Sequence, residues 1–159
     1  MEHILIPMKT KETAPMAREK CLKVVNGDNG FVASIIRSSR DGANFSRNFY
    51  GCDIEIYESF FLILLNRMNR TTGYVKISQG GTAGTVVDIK IVCKYAVDSL
   101  ASGVIVCHNH PSGNLQPSDK DINLIKKLKD ALALFDITLL DSLILTSDDY
   151  FSFADNGLM

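Results

Sequence analysis

A chain of 159 residues suits a single domain with a real core, and 46 % apolar against 22 % charged residues is the balance of an ordinary globular protein. With 17 basic and 18 acidic residues the formal net charge is −1, so charge does not support DNA contact; a non-specific nucleic-acid binder shows a basic excess or a clustered patch. No apolar run reaches the roughly 18 residues that span a bilayer, which argues against membrane insertion. Four scattered cysteines, Cys21, Cys52, Cys93 and Cys107, with no C-x-x-C pair and no secretory leader, predict reduced thiols and a cytoplasmic location.

Residues 1–37 form an N-terminal segment with few signals. Strand-like residues 20–25 and 31–36 flank Asn26-Gly27-Asp28-Asn29-Gly30, whose asparagines and glycines tolerate the positive φ of a tight turn, and predict a β-hairpin. Ser38, Ser39 and Asp41 are N-cap candidates for a short helix over 43–50, closed by Gly51-Cys52-Asp53. Residues 54–66, IEIYESFFLILLN, are too continuously apolar for a strand with one wet face and predict a central strand covered on both sides. Glu58 lies inside or at the edge of this run, where a carboxylate is costly unless paired or placed at an open site.

Residues 66–73 read as a turn and 74–78 as the returning strand. The loop Gln79-Gly80-Gly81-Thr82-Ala83-Gly84 permits close backbone approach, yet it has neither the P-loop lysine nor the dinucleotide glycine spacing and reads as a connector. Asp88 is the expected N-cap of a helix to about Ser102, with Val92, Tyr95, Ala96, Ser99 and Leu100 inward and Gly103 as its stop. A strand over 104–107 and a helix over 118–135 follow, the latter with Ile122, Ile125, Leu128, Leu132 and Phe135 inward and Lys120, Lys126, Lys127 and Lys129 on a solvated face. Extended segments are expected at 137–140, 142–146 and 150–153. Strands, helix, strand, helix, strands predict an α/β or α+β domain with a mixed sheet.

The chemistry concentrates in VIVCHNHPSGNLQPSDKD, residues 104–121. Alternation along a strand sends His108 and His110 to one side, and Pro111-Ser112-Gly113 turns the chain. Asp121 then sits in the first turn of the next helix, so two imidazoles and one carboxylate converge in the number and type that a catalytic zinc takes, with a water as fourth ligand. Set against this, Ser118-x-x-Asp121 is also a plain capping box, and the two readings are compatible.

His108, His110, Ser118 and Asp121 match H-x-H, seven residues, Ser, two residues, Asp, and so resemble the JAMM (MPN+) metal motif; ESFFLILLNRMNR, KISQGGTAGTVVD and LLDSLILTSDDYFSFADNGL make the chain more closely similar to bacterial RadC-like proteins over 38–159. The resemblance implies an α/β fold in which a mixed sheet is flanked by helices, in a cytidine deaminase-like layout. It also implies one zinc per chain and hydrolysis of a peptide, isopeptide or related amide bond. His108, His110 and Asp121 would hold the metal, Glu58 would act as general base, and Ser118 would steady the oxyanion; Glu55, at an odd offset, falls on the other strand face. Two departures stand out. Leu140-Asp141-Ser142 replaces the family's usual Leu-Asp-His, removing a histidine that would support the site, and the helix-hairpin-helix region of longer members is not present, so DNA contacts of that region do not transfer. The alternative is a metal-binding, weakly active or inactive module in DNA repair-related assemblies. A nuclease is disfavoured because the letters of the HNH motif are far apart in true members, and a deaminase because H-x-E and P-C-x-x-C are missing. The substrate and the oligomeric state stay open.

Overall fold

The computed structural model describes residues 30–82 and 84–159. Helix α1 (Ser39–Arg47) is followed by a short 3-10 turn (Cys52–Glu55), strands β1 (Ser59–Leu65) and β2 (Thr71–Gln79), helix α2 (Ile89–Asp98), strand β3 (Gly103–Asn109), helix α3 (Asp119–Ala133), and strands β4 (Thr138–Leu145) and β5 (Tyr150–Ser152). The sheet order is β2-β1-β3-β4-β5, with β3 and β4 parallel and every other neighbour antiparallel. This is an α/β fold with a mixed sheet flanked by helices, as expected. None of the described helices is long and apolar enough to cross a membrane.

The continuous apolar strands follow from their place in the sheet. In β1, Phe60, Leu62 and Leu64 join Val104 and Val106 of β3 under α2 and α3, while Phe61, Ile63 and Leu65 join Ile105 and Cys107 on the α1 side. With both faces covered, neither strand has use for polar alternation. Truncating a side chain such as Leu62 would cost about 2–5 kcal/mol. The same alternation carries His108 to the α2/α3 side, its ring stacked 6.0 Å from that of Phe60.

Several expected boundaries shift. The strand expected over 54–66 begins only at Ser59, because residues 52–55 coil into the 3-10 turn, where the Asp53 carboxylate accepts the Gly51 N–H at 3.1 Å. The first helix starts earlier than 43, since the Ser38 side chain caps it by accepting the Asp41 N–H. In α2, Val92 and Ala96 are buried, whereas Tyr95 and Leu100 are exposed: the helix ends at Asp98 and Leu100 turns into a left-handed conformation with φ 49°, so Gly103 serves as the first residue of β3 rather than as a helix stop. In α3, Ile125, Leu128 and Leu132 face the core, but Ile122 and Phe135 are exposed. The segments expected at 137–140 and 142–146 are one strand, since buried Asp141 accepts from the Ser142 N–H beside it and from the Ser152 hydroxyl and the Ala154 N–H beyond the strand. The first arm of the expected N-terminal hairpin lies outside the described residues; its second arm, 31–36, makes only an isolated bridge between Ile35 and Arg70.

Candidate metal centre

Three elements converge at the C-terminal end of β3. His108 is the sixth residue of β3, and His110 follows the strand's last residue, its backbone N–H donating to the Leu145 carbonyl at 3.0 Å so that the chain stays beside β4 as it leaves the sheet. The turn that follows is closed by the Gly113 N–H donating to the His110 carbonyl at 3.0 Å, with Gly113 at φ 77°, a conformation that a Cβ disfavours. The chain then enters α3, whose N-cap Ser118 accepts the Asp121 N–H at 3.2 Å. Asp121 Oδ2 in return accepts from the Ser118 N–H at 2.8 Å and from its hydroxyl at 2.6 Å, which completes the capping box.

The result is a compact ligand set. The two Nε2 atoms of His108 and His110 lie 3.0 Å apart, and Asp121 Oδ1 and Oδ2 lie 3.5 and 3.8 Å from those of His108 and His110 respectively. One donor atom from each of the three residues falls within 4.8 Å of the others. The His110 Nδ1–H donates to the Asn114 carbonyl at 2.6 Å, which in the neutral ring leaves the lone pair on Nε2, facing the cluster. His108 is buried, and burial pushes its pKa below that of a free imidazole, against the pull of the Asp121 charge, so its ring is held neutral. Two imidazoles and a carboxylate turned toward one point are a donor set that fits a divalent metal of the zinc type.

Glu58 sits next to this cluster. The β1–β3 register ends with Phe60 opposite His108, and Glu58, two residues before Phe60, lies near enough to His110 and Asp121 for both to act on its carboxyl. Its backbone closes the end of the β1–β2 ladder, the N–H donating to the Gly81 carbonyl at 2.9 Å and the carbonyl accepting the Gly80 N–H at 2.8 Å. Burial raises its carboxyl pKa above the usual range and the nearby Asp121 charge raises it further, while His110 and the Thr85 backbone N–H pull it down. Glu55 lies in the exposed 3-10 turn.

The residues 36–158 match the family described as the RadC-like JAB domain. The chain belongs to that family. It is 43 % identical over 102 residues to a UPF0758 protein of Flavobacterium johnsoniae, covering 64 % of this chain and 44 % of that protein, and 40 % identical over 103 residues to one of Porphyromonas gingivalis, covering 64 % and 45 %. A UPF0758 protein of Neisseria meningitidis is 39 % identical over 97 residues, 61 % of this chain and 43 % of the relative. The chain thus spans less than half the length of these relatives. Membership carries a JAMM-type metal-binding domain, and the three residues that sequence spacing singled out are those the RadC-like fold gathers here.

Other parts of this RadC-like site escaped the sequence reading. Gly80 is more than a connector residue: a Cβ there would stand 2.0 Å from the Gly84 carbonyl oxygen, so the loop that returns Thr85 to Glu58 requires glycine at that point. Asn109 is fully buried on the strand between the histidines. Its signal was available, since asparagine is depleted in strands and a buried amide must find partners.

Proposed function

We propose that this domain is a zinc-dependent hydrolase of the RadC-like JAMM group, acting on a peptide, isopeptide or related amide bond. The observation that carries the reading is the half-buried carboxyl of Glu58, with its raised pKa, beside a His108–His110–Asp121 cluster. A zinc ion held by those three side chains supplies Lewis acidity that brings the pKa of water from 15.7 to about 7. Glu58 takes the proton from the attacking water at its carboxylate and returns it to the departing nitrogen, a role for which a pKa shifted toward neutrality is the right tuning. Ser118 donates its hydroxyl to the oxygen that becomes negative. For this it turns away from Asp121 Oδ2, which the Ser118 N–H goes on holding at 2.8 Å.

The test is metal analysis joined to turnover. Purified wild type should carry about one zinc per chain, as three-ligand catalytic sites do. His108→Ala should lose it, and Glu58→Gln should keep it while cleavage of a fluorogenic panel of peptide and isopeptide bonds disappears. Wild type that takes up no zinc overturns the reading. A second reading, a metal-holding module without turnover that works by association in DNA repair-related assemblies, is favoured by Ser142 in place of the family's histidine: the buried His108 Nδ1 has no hydrogen-bond partner among the described residues. Zinc bound by the wild type without cleavage of any panel member would select it.

A further inference from the structure

Glu58 lies outside the regular ladder of β1, in a stretch whose neighbours Ile56 and Tyr57 are exposed, so apolar burial does little to hold it. The residue between the two histidines holds it instead. Asn109 Oδ1 accepts the Ser59 N–H at 2.8 Å, and its Nδ2 donates to the carbonyls of Tyr57 at 2.8 Å and Ile54 at 2.6 Å. These bonds assign the amide's orientation, since an N–H needs an acceptor and carbonyls need donors. They also bracket Glu58: one is to the residue before it, one to the residue after it, and the third to the turn that leads in. The opposite side of the Glu58 backbone is taken by Gly80 and Gly81.

We propose that Asn109 is a positioning residue that fixes the Glu58 carboxylate relative to the His108–His110 pair, so that base and ligands are set by one strand. A buried asparagine that only satisfied itself could use any nearby groups. Asn109 spends its Oδ1 and both hydrogens of its Nδ2 on the peptide units around a single glutamate, and its own backbone fixes both imidazoles. The proposal rests on the reading of Glu58 as the base.

The test uses the full chain loaded with Co2+, whose visible absorption reports its ligands and the ionisations next to them. Asn109→Ala leaves the three ligands and their hydrogen bonds in place, so cobalt affinity falls by less than the roughly tenfold that losing a partner of a ligand costs. The pH midpoint of the absorption change moves in the same direction as in Glu58→Gln. The double variant moves no further than Glu58→Gln alone, because both substitutions act through one group. Asn109→Ser, smaller but polar, carries the same expectation where Asn109→Ala does not fold. A wild-type midpoint in the Asn109 variants beside a shifted midpoint in Glu58→Gln overturns this inference and spares the function. An unmoved midpoint in Glu58→Gln, or a wild type that binds no cobalt, overturns both.

Discussion

Asp121→Asn separates the two jobs of one carboxylate. Asp121 caps α3 through Oδ2, which accepts the Ser118 N–H and hydroxyl, and it faces both imidazoles at 3.5 and 3.8 Å. Asparagine is isosteric and keeps an oxygen for the Ser118 N–H, so the metal-free variant should lie within about 0.5 kcal/mol of the wild type, whereas alanine would forfeit the cap at about 0.5–2 kcal/mol. Metal affinity should respond differently, because the charge on the third ligand is gone. Losing even a group that only supports a ligand costs about 10–100-fold, and a ligand should cost at least the upper figure. At free zinc equal to 100 times the wild-type Kd, binding stabilises the wild type by about 2.7 kcal/mol, and a variant bound 100-fold more weakly by about 0.4 kcal/mol. For a domain of this size those figures correspond to rises in Tm of about 5–10 °C and about 1 °C. Thermal unfolding followed by circular dichroism in zinc-buffered and zinc-free solution reads the difference. Equal zinc-induced shifts in wild type and Asp121→Asn would refute the placement of Asp121 in the ligand set.

The metal-free protein should lose stability as pH falls below about 6.5, by up to about 1.4 kcal/mol per unit: the unfolded chain protonates His108 readily, while burial holds its folded pKa lower, so protons favour unfolding. Urea titrations of wild type and His108→Gln across that range check this, and identical slopes would exclude His108 as the source. Gly80→Ala should destabilise the domain by about 1–3 kcal/mol, since the added Cβ meets backbone rather than a flexible side chain, and should leave zinc stoichiometry unchanged; a neutral Tm would mean the loop between Gly80 and Thr85 gives way without cost. Ser142→Ala should raise stability by about 1 kcal/mol, because it removes a buried hydroxyl with no hydrogen-bond partner among the described residues, and a lower Tm would show that Ser142 is satisfied after all.

The His108–His110–Asp121 cluster was legible because each member rests on a local rule. Strand alternation sets His108 and His110 on one side, and the capping box of Ser118 and Asp121 turns a carboxylate to the helix start, so neither inference needed tertiary contacts. Strands β1 and β3 were legible for a related reason, since two covered faces write an unbroken apolar run. Where tertiary contacts decide, the reading slipped. Ile54, Ile56 and Tyr57 look like the start of a strand but belong to a turn and its exposed exit, and what ties that stretch down is an asparagine 55 residues from Ile54 and 52 from Tyr57. Asp141 looked like a break between two strands because its three donors come from Ser142, Ser152 and Ala154, two of them beyond β4. In α2, the helix ends at Asp98 and the left-handed turn takes Leu100 off the stripe, of which Val92 and Ala96 are the buried members.

The charges around the site explain why Glu58 sits where it does. Without a cation, burial penalises the charge on Glu58 and Asp121 repels it, so its carboxyl pKa is raised although His110 pulls the other way. A divalent ion held by His108, His110 and Asp121 would oppose that balance, because its positive charge would favour an ionised Glu58. On the reading proposed above, filling the ligand set would favour the ionised, base-competent form of Glu58. This coupling needs Glu58 to stand at a fixed place relative to the imidazoles, since electrostatic coupling weakens with separation and with solvent exposure. Three hydrogen bonds between the Asn109 side-chain amide and the backbone around Glu58, together with a glycine loop too tight for any side chain at position 80, supply that constraint beyond the end of β1.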